Sequence, residues 1–313
     1  MDPRRQSEEP TPAPPASQEV DRSGGPSEFG ELRTSEIHLI FQRSIYYIDF
    51  RRCMHRWLCL LLSIAVVATV AAPSGMALAS SQTSHSSLWG DVVATPSSSS
   101  AYNWAGYAES SGTGTVTQVT GAWSQPSVTC PRGTTLAAFW IGIDGYSSST
   151  VEQDGTLAQC SHGTASYYAW WETYPANAVQ EFATVHAGDK FNATVSWNSA
   201  TGKFTMSITD ITSGTTWTKV STNSGASENS AECIAERPAG ASNSSGLYAL
   251  ANFGTVSFTS CAATVSGTSG GIGSFSTVYE ITMVSYPSGA RTLAAPSSLT
   301  SNSAFTVTWK HAS

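Results

Sequence analysis

The chain runs to 313 residues, with 15 Lys or Arg against 22 Asp or Glu and a formal charge of −7. That length admits one large domain or two ordinary ones. No basic stripe occurs, which excludes a protein that tracks the phosphates of nucleic acid.

Residues 1–53 are polar, rich in Pro, Ser and Glu and without a hydrophobic period, so they read as a disordered or mis-assigned N-terminal extension. Arg51, Arg52 and Arg56 then precede an apolar run from Trp57 to Ala72, and Ala77-Leu78-Ala79 supplies an A-x-A cleavage site. The pattern predicts a secretory signal peptide over 54–79, with Met54 as the true start. The run is short for a membrane span, and Pro73 and Gly75 follow it. The part beyond Ala79 is therefore expected outside the cell. There, seven Lys or Arg stand against thirteen Asp or Glu, a net charge of −6. Its cysteines are Cys130, Cys160, Cys233 and Cys261. Four cysteines in an exported chain predict two disulfides; three pairings are possible, and the sequence-local pairs Cys130–Cys160 and Cys233–Cys261 are the expected ones.

Residues 80–101 form a Ser-rich leader with no visible core. From there to the end, period-two patterns recur between Gly, Asn and Ser punctuation. "LAAFWIGI" (Leu136 to Ile143) is a continuous apolar run, as in a strand covered on both faces. In "SYYAWWETY", Tyr168, Trp170, Glu172 and Tyr174 share one face. "KFNATVSW" and "KFTMSIT" alternate cleanly and are joined by "NSATG", a hairpin loop ending in Gly. In "AECIAERP", Glu232, Ile234 and Glu236 share a face opposite Cys233 and Ala235. "FSTVYEITMV" alternates again, and no window of a dozen residues has a helical period. The fold class is all-β, a sandwich over 102–313.

Few catalytic signatures survive inspection. "GTSGG" (Gly267 to Gly271) fits G-x-S-x-G but lacks a strand-to-helix elbow, so it reads as a connection. No D-T-G or D-S-G pair is present to form an aspartic dyad. His162 and His186 stand alone and no Cys-x-x-Cys occurs, so no metal or other cofactor is expected.

Seven segments taken together carry more: "NWAGY" (103–107), "WSQPSVTC" (123–130), "FWIGIDG" (139–145), "VEQDGT" (151–156), "YAWWETYP" (168–175), "GD" (188–189) and "AECIAERP" (231–238). In this order and spacing they resemble the glutamic peptidases, the eqolisins formerly grouped as A4 peptidases, in their bacterial secreted form. The resemblance spans nearly all of the exported part. It implies a concanavalin A-like β-sandwich of two curved antiparallel sheets, with an acid-acting endopeptidase site on the concave face. It implies Gln153 and Glu236 as catalytic residues, with Trp104, Trp140, Asp144 and Glu172 lining or bracing the substrate site. Leu157 departs from the pattern, since fungal members carry an acid there, and Cys233 stands where an aromatic is usual.

The chemistry of such a pair is self-sufficient. Peptide hydrolysis without metal or covalent nucleophile needs a base for water and a donor for the oxyanion. A Glu carboxylate serves as the base in acid, where a His would already be protonated. A Gln amide donates through its NH2 and cannot titrate. Period two puts Gln153 on the face of Val151 and sends Glu152 and Asp154 to the other, as supports or rim. The expected partners are polypeptide substrates, with no nucleic acid, no stable membrane association after signal cleavage, and a monomeric state. The alternative is a carbohydrate-binding or glycoside-hydrolysing sandwich, because Trp-rich sheets also bind sugars and Glu152-x-Asp154 resembles a strand-borne acid cluster. That chemistry requires two carboxyl groups facing each other across roughly 5 to 9.5 Å.

Overall fold

The computed structural model describes residues 96–313; the N-terminal extension, the expected signal peptide and most of the Ser-rich leader lie outside the described residues. Strands follow one another: β1 (Ser97–Ala101), β2 (Trp104–Ser110), β3 (Val116–Ser124), β4 (Thr135–Ile143), β5 (Val151–Ser161) and β6 (Thr164–Tyr174). Next come β7 (Asn177–Thr184), β8 (Lys190–Asn198), β9 (Lys203–Asp210), β10 (Thr215–Ser221), β11 (Ser230–Glu236) and β12 (Ala249–Leu250). The last are β13 (Thr255–Val265), β14 (Thr268–Gly271), β15 (Val278–Val284), β16 (Thr292–Pro296) and β17 (Phe305–Trp309). Among the described residues there is no α-helix.

The pairings sort into two layers. The first sheet runs β1-β15-β2-β11-β4-β5-β6-β7, with the short β12 lying parallel beside β4. The second runs β10-β9-β8-β3-β13, and β13 carries β17 along its first half and β14 along its second. Among the described residues, only the β1–β15 and β12–β4 pairings are parallel. β16 pairs with β15 of the first sheet and β17 of the second, so hydrogen-bonded backbone continues from one layer to the other. This is the expected β-sandwich.

Alternation decides what fills the space between the layers. Phe191, Ala193 and Val195 of β8 and Phe204, Met206 and Ile208 of β9 are buried, and they meet Phe139, Ile141 and Ile143 of β4. Trp123 enters the same core from β3 and donates its Nε1–H to Thr156 Oγ1 at 2.9 Å. The other face of the first sheet carries a second apolar cluster, with Trp104, Leu136, Ala138, Trp140, Leu157, Trp170 and Ile234. β4 is buried at every position because both of its faces are covered; its unbroken apolar sequence follows from that.

Both expected disulfides form: Cys130–Cys160 with Cα atoms 5.2 Å apart and Cys233–Cys261 at 6.4 Å. Cys233 points inward from β11, and Cys261 sits where β13 shifts register against β3, so the second bridge crosses the core between layers. The "NSATG" loop closes β8 onto β9 with Gly202 at φ 64° donating to the Asn198 carbonyl at 2.8 Å. Two sequence readings differ from the fold. "GTSGG" is mostly strand: β14 pairs back on β13 after a tight turn in which Ser266 and Gly267 both have positive φ, the geometry of a type I′ hairpin. The end of the Ser-rich leader adds β1, with Ala101 in the outer-face cluster.

Candidate active site

Register places the chemistry-bearing side chains in three rows across the outer face of the first sheet. Ala108, Glu232, Gly142, Gln153 and Glu172 form one row. Two residues along the strands lie Gly106, Ile234, Trp140, Gly155 and Trp170, and two further lie Trp104, Glu236, Ala138, Leu157 and Tyr168. Gln153 and Glu236 thus rise from the same face, on either side of the row that holds Trp140 and Trp170. Glycines make that middle row possible. A Cβ on Gly155 would fall 2.6 Å from Trp140 Cβ, and one on Gly142 would meet Trp140 Cζ3 at 3.0 Å and Gln153 Cβ at 3.2 Å.

Each polar group is held. Glu236, fully buried, accepts from Trp140 Nε1 at 2.7 Å on Oε2 and from Asn103 Nδ2 at 3.4 Å on Oε1. Trp140 is in turn packed edge-to-face against Trp104, with ring centroids 4.9 Å apart. Gln153 donates from Nε2 to Glu172 Oε2 at 2.6 Å. This bond fixes which end of the amide faces Glu172 and leaves Gln153 Oε1 without a protein partner. Burial pushes the Glu172 carboxyl up to about 8; the Gln153 bond opposes this, and the nearby Glu236 adds to it.

Asp144 plays a different part. Its Oδ2 accepts from the Thr150 hydroxyl at 3.2 Å and from the Ser227 and Glu228 amides at 2.7 and 3.0 Å, while Oδ1 accepts from the Asn229 amide at 3.0 Å. With four donors on one buried carboxylate, Asp144 pins the segment that leads into β11. It braces the strand bearing Glu236 rather than lining the aromatic face.

Glu152 and Asp154 occupy no rim. Both are 0% exposed, and they share the strand face of Thr156, which looks into the core between the layers. Desolvation raises both carboxyls well above their ordinary range, with neighbouring Asp144 adding to the effect at Glu152. Glu152 accepts from Asn223 Nδ2 at 2.6 Å. The acid pair on which a sugar-cleaving reading rested therefore belongs to the interior. Glu232 is the reverse case: it shares the row of Gln153, separated by the side-chain-free lane of Gly142, and burial raises its carboxyl strongly. Sequence reasoning placed it on the right face without assigning it to the site. Asn103 was also missed, although it opens the same "NWAGY" segment that pointed to Trp104.

Residues 102–309 match the model of the peptidase A4 family. Aspergillopepsin-2 of Aspergillus niger is 34% identical over 143 residues, in a match that covers 43% of this chain. That match spans about half of the relative, 48% of its length. Among solved structures, scytalido-glutamic peptidase with a peptide-based transition-state analogue superposes with a TM-score of 0.56 at 21% identity, covering 67% of this chain and 98% of that one. SCP-B, an eqolisin in complex with the tripeptide Ala-Ile-His, gives a TM-score of 0.53 at 20% identity, covering 67% and 98%. At those identities the two structures speak for the fold, and the family match carries the assignment. The chain belongs to the peptidase A4 family.

Proposed function

We propose that this protein is an exported, acid-acting endopeptidase in which Glu236 activates the attacking water and Gln153 stabilises the tetrahedral oxyanion. The observation that carries this reading is the pairing of two held groups on one buried face: a carboxylate oriented by the Trp140 N–H and an amide clamped by Glu172. Family membership points to peptide bonds as the substrate class, and the two disulfides fit an oxidising compartment outside the cell.

The steps follow from the groups present. Glu236 takes a proton from water as the water oxygen attacks the scissile carbonyl carbon. The carbonyl oxygen becomes an oxyanion and accepts from the second Nε2–H of Gln153, the first being engaged by Glu172. Glu236 then hands its proton to the amide nitrogen, and the C–N bond breaks to release the amine. Because Gln153 does not titrate, its donor is present at any pH. Trp104 and Trp140, with Asn103, fix the orientation of the base.

The test is digestion of a denatured protein at about pH 3 to 4 in the presence of pepstatin. Glu236→Gln and Gln153→Ala are each expected to lower the rate by roughly 100-fold or more. Proteolysis retained in both variants would overturn the mechanism.

A further inference from the structure

Beside the loop that leaves β11 lies a cavity of about 510 Å³, lined by Thr134, residues 240–243, Tyr248 and Ala249. That volume lies in the range of ligand pockets. None of the lining side chains carries a charge. The loop is closed by the Ala239–Leu247 bridge, the Gly240 amide donates to the Gly246 carbonyl at 2.7 Å, and Asn243 donates from Nδ2 to the Leu247 carbonyl at 2.8 Å. Asn243 Oδ1 accepts from the Ser245 amide and hydroxyl at 3.1 and 2.8 Å, so this amide is engaged in holding the wall. Thr134 and Ser242 bring hydroxyls to the cavity, Tyr248 a ring, and Ala241 and Ala249 methyl groups.

Two of these residues join the cavity to the face that holds Gln153 and Glu236. Tyr248 packs against the aromatic cluster of that face. Thr134 immediately precedes β4 and has the strand parity of Ala138, the register partner of Glu236. Four residues separate them, about 14 Å, which an extended peptide also spans in about four residues. Between the two levels, Gln159 of β5 lies opposite Leu136 and shares the face of Gln153. It is 2% exposed, and its Oε1 has no partner in the protein. A buried acceptor left unmatched is unfavourable until a donor reaches it. A peptide N–H passing along β4 is such a donor.

We infer that the peptide groove continues along β4 past Glu236, with Gln159 accepting from the substrate backbone, and ends in this cavity as a subsite for a glutamine side chain. A hydroxyl both donates and accepts, as does a carboxamide, so Thr134 and Ser242 can pair with either end of a glutamine amide. The glutamine stem has the Tyr248 ring and the alanine methyl groups to lie against. A carboxylate or an ammonium group would lose hydration there without meeting an opposite charge in the wall. The inference rests on this face being a peptide site, so its test reads binding apart from hydrolysis.

Tryptophan fluorescence of the whole chain carrying Glu236→Gln gives peptide affinities at about pH 5, where a glutamate side chain is largely ionised. Gln is compared with Met, Glu and Lys at successive positions of one peptide. At one position Gln is expected to bind roughly three- to tenfold tighter than each of the other three. Thr134→Val together with Ser242→Ala should bring Gln level with Met and leave the Met affinity as it was, a change that a merely structural role would not produce. Gln159→Met removes a buried unmatched oxygen, so it should weaken every peptide that reaches the cavity by a similar factor without lowering Tm. The inference is overturned if no position prefers Gln, if Glu or Lys binds best there, or if the preference survives the double change. Affinities unmoved by Gln159→Met overturn it too. Selective binding by a protein that hydrolyses none of the peptides when Glu236 is present would sink the proposed chemistry and leave the subsite standing. Hydrolysis without selectivity would do the opposite.

Discussion

Raising the pH from about 4 to about 8 is expected to destabilise this protein strongly, and Glu172 allows the size of the effect to be worked out. Its carboxyl is lifted from 4.5 to about 8 in the folded chain, chiefly by burial. Below 4.5 the folded and unfolded chains both hold this proton, so the group contributes full native stability. As pH rises beyond that point the unfolded chain releases the proton while the folded chain keeps it, and the native state loses about 1.4 kcal/mol per pH unit. By pH 8 the loss reaches about 5 kcal/mol. Total stabilities of about 5–15 kcal/mol are usual, so one residue accounts for a large part of the margin. Glu152, Asp154 and Glu232 are displaced in the same direction by burial and deepen the trend. Urea denaturation followed by tryptophan fluorescence at about pH 4, 6 and 8 measures it, with Glu172→Gln as the comparison. The midpoint should fall steadily with pH in the parent protein and fall less steeply in the variant. A midpoint that stays level or rises between pH 4 and 8, or an identical slope in Glu172→Gln, would refute the reasoning.

Three further changes probe the supports of the site. Trp140→Phe removes the N–H that meets Glu236 Oε2 at 2.7 Å; losing a buried donor of this kind costs about 1–3 kcal/mol, so kcat should fall by roughly ten- to a hundredfold with KM little altered. An unchanged kcat would dismiss the orienting role. Gly155→Ala forces a methyl group to within 2.6 Å of Trp140 Cβ and should cost about 1–3 kcal/mol of stability as β4 and β5 are pushed apart; an unaltered Tm would contradict this. Replacing Cys233 and Cys261 together by Ser releases a bridge between positions 28 residues apart, with an expected loss of roughly 3–4 kcal/mol of unfolding free energy, read as a lower denaturation midpoint under non-reducing conditions. Equal midpoints would show that the bridge contributes nothing.

Much of this architecture was legible in the sequence because alternation has a period of two and the strands obey it. The faces of β5, β6, β8, β9 and β11 follow from side-chain identity alone. What alternation cannot say is which layer covers which face. On the first sheet both faces are covered, so Glu152 and Asp154 looked like rim carboxylates when they are core residues whose carboxyls desolvation raises well above their ordinary range. β1 escaped notice for a similar reason. "SSSSA" has little intrinsic preference for a strand, and its place is set by parallel pairing with Tyr279–Met283, far away in sequence. Within the site, the named motifs led to Gln153, Glu172 and Glu236. The support given by Asn103, and the four-donor grip on Asp144, depend on loops whose convergence no local pattern records.

The strand β16, shared by both layers, has a mechanical corollary. Along that margin the sandwich is sewn by peptide hydrogen bonds. Along the opposite margin, β7 and β10 each end a sheet, and what joins the layers there is side chains: Phe182 stacked on Trp217, Lys219 over the Trp171 ring, and Asn177 donating to Ser221 at 3.0 Å. Such contacts yield one at a time, whereas a ladder resists as a whole. The molecule is thus built like a book, bound along its spine and held shut by clasps, and any partial opening will begin at the clasps.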